Sequence, residues 1–194
     1  MNNFTTNVIK ETSKGLQPIM IDDELMSNRE IFLTEQVNTE TSTLLLKKLM
    51  YLDRENPGEP ITLYITSPGG DVTSGLAVYD YIKLMESPVH TVCIGLAASM
   101  GAILFLAGEK RKMLPNTKVM IHDPSFANAA GISGKPLEMK EKLDQLMKVR
   151  ETLASIIAER TGMTMRQVYA KTKNDTYLTA EQALELNVAT EILK

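Results

Sequence analysis

From Ile31 onward, short apolar runs alternate with stretches of helical spacing, and that alternation narrows the folds open to this chain more than any other feature. Ile31-Phe32-Leu33, Ile61–Thr66, Val89–Leu96 and Lys118–His122 read as strands, with helical patterns between them near 40–54, 73–85 and 99–107. Such a βαβ series specifies an α/β fold with a mainly parallel sheet and right-handed crossovers, whose sites gather beyond the carboxyl ends of the strands. The loops after Thr66, Leu96 and His122 are therefore where chemistry is to be sought.

Past Pro136, a residue suited to a first helical turn, Met139, Leu143, Leu146, Leu153 and Ile157 recur at helical spacing over 136–160. This helix is too long and too late to be another crossover, so a projecting arm whose apolar stripe seeks a partner is expected. Short helices near 164–172 and 179–186 and a last strand Val188–Leu193 complete the pattern. Residues 1–29 mix Asn, Thr, Lys and Asp with scattered apolar positions and read as a loosely held arm outside the core. The expected organisation is an N-terminal arm, 1–29, and one domain, 30–194, around a single core.

A net charge of -3, with no basic cluster longer than Lys110-Arg111-Lys112, speaks against a nucleic-acid partner. Cys93 is the one cysteine, so no internal disulfide can form, and a reducing compartment is expected. The start, Met1-Asn2-Asn3-Phe4-Thr5-Thr6, lacks a basic region followed by an apolar stretch, and nowhere do about 18 apolar residues run together. A soluble cytoplasmic protein without membrane contact is the expectation.

Gly95-Leu96-Ala97-Ala98-Ser99-Met100-Gly101-Ala102 follows a strand and opens an almost wholly apolar helix. Ser99 thus falls at a helix N-terminus, where unpaired N–H groups and the helix dipole favour an alkoxide or a tetrahedral oxyanion. A plain N-cap is the competing reading. In Thr66-Ser67-Pro68-Gly69-Gly70 the paired glycines let backbone N–H groups face a ligand and supply half of an oxyanion hole, or else they simply turn the chain.

A serine nucleophile needs a general base, and the chain has two histidines. His122 ends a strand on the rim that carries Ser99, whereas His90 opens a strand at the far end, so His122 is the better base. Among the acids, Asp123 adjoins His122 but points to the opposite face of the strand. Asp175, ahead of the helix near Thr179, cannot be ranked above Asp71 or Asp80 on these grounds. Cys93 with His90 is a rival nucleophile pair, disfavoured by its place inside a strand.

Leu63-Tyr64-Ile65-Thr66-Ser67-Pro68-Gly69-Gly70, Gly95–Ala102, Leu114-Pro115-Asn116 through His122, and Asp175 ahead of Leu178-Thr179-Ala180-Glu181-Gln182-Ala183 resemble the proteolytic subunit of the Clp protease, the ClpP family. The likeness reaches into the arm at Val8–Gly15. It implies a ClpP/crotonase-like βαβ superhelical fold with a mainly parallel sheet and a projecting handle helix, the handle region covering about 123–160. It implies a serine endopeptidase with Ser99 as nucleophile, His122 as general base and Asp175 as orienting acid. Gly70 and Met100 would supply the oxyanion N–H groups, with no metal and no organic cofactor. The resemblance also implies a homo-oligomer of two stacked heptameric rings, a tetradecamer with the sites inside. Such a chamber cuts peptides, and degrades unfolded proteins fed by an AAA+ unfoldase of ClpX or ClpA/ClpC type, the source of its ATP dependence. A second ClpP paralogue is a further candidate subunit.

Several positions depart from that family. Gln usually follows the triad His and Arg precedes the triad Asp, tying the rings together, but Asp123 and Asn174 stand there. Asp123 is then expected to want a strong partner, unless Lys173 or a lysine of another subunit takes that role. Leu96 replaces a usual Gln, Thr62 a frequent surface Tyr, and Phe126–Ile132 a glycine-rich turn into the handle. Two other functions compete: a crotonase-like acyl-CoA hydratase or isomerase, and a weakly active structural subunit of a mixed ClpP assembly.

Overall fold

The structure is a computed structural model describing residues 6–13, 15–126 and 134–194. It opens with an antiparallel hairpin of β1 (Asn7–Thr12) and β2 (Gly15–Met20), followed by the short helix α1 (Ile21–Ser27). The described part of the segment read as a loosely held arm is therefore largely regular, with pairing from Asn7↔Met20 to Thr12↔Gly15 satisfying the backbone groups that face each other across the hairpin. The hairpin still stands outside the core, with Ile9 and Leu16 exposed, while Met26 of α1 packs against the core.

The parallel sheet and the helices between its strands follow as expected. β3 (Glu30–Leu33), β4 (Ile61–Ser67) and β5 (Val89–Ala98) are parallel neighbours joined through α2 (Thr39–Glu55) and α3 (Val72–Leu84). Along β4, Ile61, Leu63, Ile65 and Ser67 are buried while the residues between them are half-buried, the period-two pattern of a strand packed more tightly on one face. After β5 comes α4 (Met100–Ala107), buried along its whole length, which explains why it is apolar all round.

β5 forks. Thr91–Cys93 pair with β6 (Arg111–Met113), and Leu96–Ala98 pair with β7 (Lys118–Ile121), both parallel. Between the two stretches the β4–β5 register shifts, and Gly95 lies in the shift, where an added Cβ would come within 2.5 Å of Thr66 Oγ1. This fork carries β7, and His122 after it, beside the end of β5.

The helix over 136–160 is α5 (Pro136–Thr161), closed by Gly162 in the left-handed conformation. Its expected apolar stripe divides. Leu153, Ala154 and Ile157 are buried against the core, whereas Leu137 and Leu143, and Met147 beside them, stay exposed near the other end. Then follow α6 (Met165–Thr172), β8 (Thr176–Thr179), α7 (Ala180–Glu185) and β9 (Glu191–Ile192). β8, antiparallel to β7, and the three-residue β6 were not legible as strands, and the last strand is shorter than Val188–Leu193. Of the altered turn Phe126–Ile132, only Phe126 lies within the described residues. Among the described residues no helix is long and apolar enough to cross a membrane.

Candidate active site

β5 passes into α4 through Ser99, whose φ of 53° and ψ of -121° lie where a side chain is rarely tolerated. Such a conformation costs on the order of 1–3 kcal/mol and persists only where its surroundings enforce it. Here the Ser99 N–H donates to the Met120 carbonyl at 2.9 Å, while the Ser99 carbonyl accepts from Ala102 and Ile103. The N-cap reading fails at the side chain. Ser99 Oγ makes no capping bond to α4; it lies 2.8 Å from His122 Nε2.

His122 follows β7, and the antiparallel register sets Ile121 opposite Thr176 of β8. One step beyond that pair, His122 meets Asp175, with Nδ1 3.2 Å from Oδ1. The missed strand β8 is thus what singles out Asp175 from the other acids. Asp71 instead caps α3, accepting from the Ser74 N–H at 2.7 Å, and hydrogen bonds from the Ser74 side chain and backbone hold its carboxyl below the usual range. Asp80 is exposed on α3. Ser99, His122 and Asp175 come together in one row of contacts, though the Asp175 side chain is 60% exposed.

The Gly69–Gly70 turn presses against the same point. A Cβ on Gly69 would fall 2.7 Å from Ser99 Cβ and 2.8 Å from the Met100 nitrogen, and one on Gly70 would fall 2.1 Å from the Val37 carbonyl. Both positions have positive φ, 89° and 148°, so glycine is required twice over. A bridge to Val37 uses the Gly69 carbonyl and the Asp71 N–H, leaving the Gly70 N–H out of both bonds. Ser67, 1% exposed, fixes the turn by donating to the Glu35 carbonyl and accepting from the Gly69 N–H.

A family model described as Clp protease matches residues 13–194. The chain belongs to the Clp protease family. It is a ClpP-type peptidase, and its mostly parallel α/β fold is that of the family.

In this Clp protease two hollows meet at Ser99 and His122. One is a small, mostly apolar cavity of about 30 Å³ lined by Val72, Met100, Ile103, Ile121, Leu153 and Ile157 among others. The other is an open groove of about 520 Å³ that runs past Gly70 and Asn38 to Leu146 and Val149 of α5.

The rival pair does not form. Cys93 is fully buried, which pushes its thiol up, and its Sγ faces the Lys118 carbonyl at 3.5 Å. His90 sits three residues back along the same strand, on the opposite face; burial, and Lys110 beside it, lower its pKa. Among the described residues no group of His, Cys, Asp and Glu is arranged to hold a metal ion.

Asp123 departs from expectation. Its carboxylate accepts from Arg150 Nε at 2.7 Å and from Thr172 Oγ1 at 2.6 Å, so its partner is an arginine of its own chain. Neither Lys173 nor a second subunit is needed. Sequence reasoning missed Arg150 because its spacing from Asp123 carries no signal; only α5 folding back onto the end of β7 joins them.

Proposed function

We propose that this ClpP-type peptidase is a serine endopeptidase, and the observation that carries the proposal is the Ser99 hydroxyl resting on His122 rather than on the helix it opens. His122 Nε2 takes the Ser99 proton as Oγ attacks the scissile carbonyl. Asp175 holds Nδ1–H, keeping the imidazole in the tautomer that can accept and stabilising the imidazolium. Negative charge on the carbonyl oxygen is met by the N–H groups of Gly70 and Met100, one free of the β-bridge and one at the start of α4. The amine leaves with the proton from His122. Water then hydrolyses the acyl-enzyme with His122 again as base.

Substrate lies extended in the groove beside Gly70, with one side chain in the apolar cavity. Residues 30–194 form the catalytic domain and 1–29 an axial arm. The exposed end of α5, with Leu137, Leu143 and Met147, is the handle through which two heptameric rings stack into a cytoplasmic chamber. An AAA+ unfoldase of ClpX or ClpA/ClpC type threads unfolded chains into it and supplies the ATP hydrolysis.

A crotonase-like hydratase would use the two backbone N–H groups but would leave the Ser99–His122 contact without a role. Parallel assays decide: cleavage of a short fluorogenic peptide without turnover of an acyl-CoA supports the peptidase, and acyl-CoA turnover without peptide cleavage overturns it.

A further inference from the structure

We propose that Asp123 is a positioning residue for the His122–Asp175 pair, acting as the second of two clasps between which that pair is held. The inference rests on the reading of His122 as base. β7 ends at Ile121 and the chain beyond it, through Phe126, has no regular structure, so no ladder holds His122 from that side. Asp175 likewise lies in the short connection between Thr172, where α6 ends, and Thr176, where β8 begins.

One clasp is the Ile121↔Thr176 pair of the sheet. The other is Asp123 on Thr172. The Asp123 N–H donates to the Thr172 carbonyl at 2.7 Å, and the Thr172 hydroxyl donates back to the Asp123 carboxylate at 2.6 Å. Thr172 is 3% exposed, so its side of these two hydrogen bonds is shielded from water, while the Asp123 side chain is 29% exposed. The second carboxylate oxygen takes the Arg150 Nε, and the Arg150 guanidinium lies 4.0 Å above the Tyr169 ring. Asp123 therefore ties the His-bearing and Asp-bearing segments to each other and, through Arg150, to α5. An imidazole between two hydrogen-bonding partners tolerates little drift, since displacements near 1 Å can cost about a hundredfold in rate.

The test compares Asp123→Ala, Asp123→Asn, Arg150→Gln, the double variant Asp123→Ala/Arg150→Gln and Arg150→Lys with wild type. Readouts are kcat and KM on a short peptide, the rate of fluorophosphonate labelling of Ser99, thermal stability and native mass. Expected is a fall of roughly tenfold or more in kcat and in labelling rate for Asp123→Ala and Arg150→Gln, with KM and native mass unchanged. The double variant should be no worse than the worse single, and Arg150→Lys should recover part of the loss. Asp123→Asn keeps the side-chain shape, so it guards against a folding defect in the alanine variant. Full-rate labelling in folded Asp123→Ala and Asp123→Asn overturns the proposal. So does a loss that follows melting or native mass while labelling per assembled site stays at the wild-type rate. A wild type that is never labelled at Ser99 sinks the serine-peptidase reading itself, a separate outcome.

Discussion

Ser99 Oγ stands 2.8 Å from His122 Nε2, while the Ser99 carbonyl alone accepts the first hydrogen bonds of α4. The hydroxyl is thus withheld from the helix, and the first amides of α4 remain available to another acceptor. The unusual φ of Ser99 turns the side chain out of the strand without making it a cap.

Asp175→Asn should lower kcat by about 10³- to 10⁴-fold with little change in KM, because the amide can favour the wrong imidazole tautomer. The 60% exposure of Asp175 places the expected loss toward the lower end, as water can substitute in part. Steady-state kinetics on a short peptide decide it, and a full-rate variant would return the choice to the other aspartates.

Gly70→Ala should be nearly inactive yet folded. Its Cβ would meet the Val37 carbonyl at 2.1 Å, so the turn must shift and carry the Gly70 N–H away. Losing one oxyanion donor typically costs about 10²- to 10³-fold in kcat. Wild-type kcat in a folded Gly70→Ala protein would remove Gly70 from the oxyanion hole.

Asp71→Ala should destabilise the chain by about 1 kcal/mol through loss of the α3 cap. Because hydrogen bonds from Ser74 lower the Asp71 pKa from 3.8, the folded state binds this proton less readily than the unfolded state. Its contribution is complete above the ordinary value and disappears as pH falls through the lower folded value. The wild-type advantage in chemical denaturation should therefore hold from neutral pH to about pH 5 and shrink below about pH 4. An advantage that grows on acidification would contradict the assignment.

On the proposed stacking, Leu143→Glu should separate the rings and lower peptidase activity with them, since Leu143 is 52% exposed toward the start of α5. Asp123 is already paired within the chain, so ring stacking should rest on apolar contact and change little with moderate salt. Sedimentation beside peptidase rate checks both. Fully active single rings would refute the coupling, and an undisturbed, fully active assembly would refute the placement of the contact.

Strand and helix order was legible from Ile31 to His122, the three-residue β6 apart, because burial imposes distinct periods on strands and helices. Ser99, His122 and the Gly69–Gly70 turn could be found for the same reason, since each follows a recognisable strand. Asp175 could not be ranked, because what brings it to His122 is the antiparallel pairing of β8 with β7, a tertiary register with no local signature. The hairpin over Asn7–Met20 was missed because it is stabilised by its own ladder with little apolar burial. Arg150 and Asp123 are joined only by the packing of α5.

The central claim, that Ser99 is the nucleophile activated by His122, is tested most directly by fluorophosphonate labelling with peptide mapping, run on wild type, Ser99→Ala and His122→Ala beside a peptidase assay. Wild type should be labelled at Ser99 and lose activity in proportion. Ser99→Ala should assemble normally, take no label and cleave about a million times more slowly, and His122→Ala should label very slowly. Label on another residue, or near-wild-type hydrolysis by Ser99→Ala, would contradict the account.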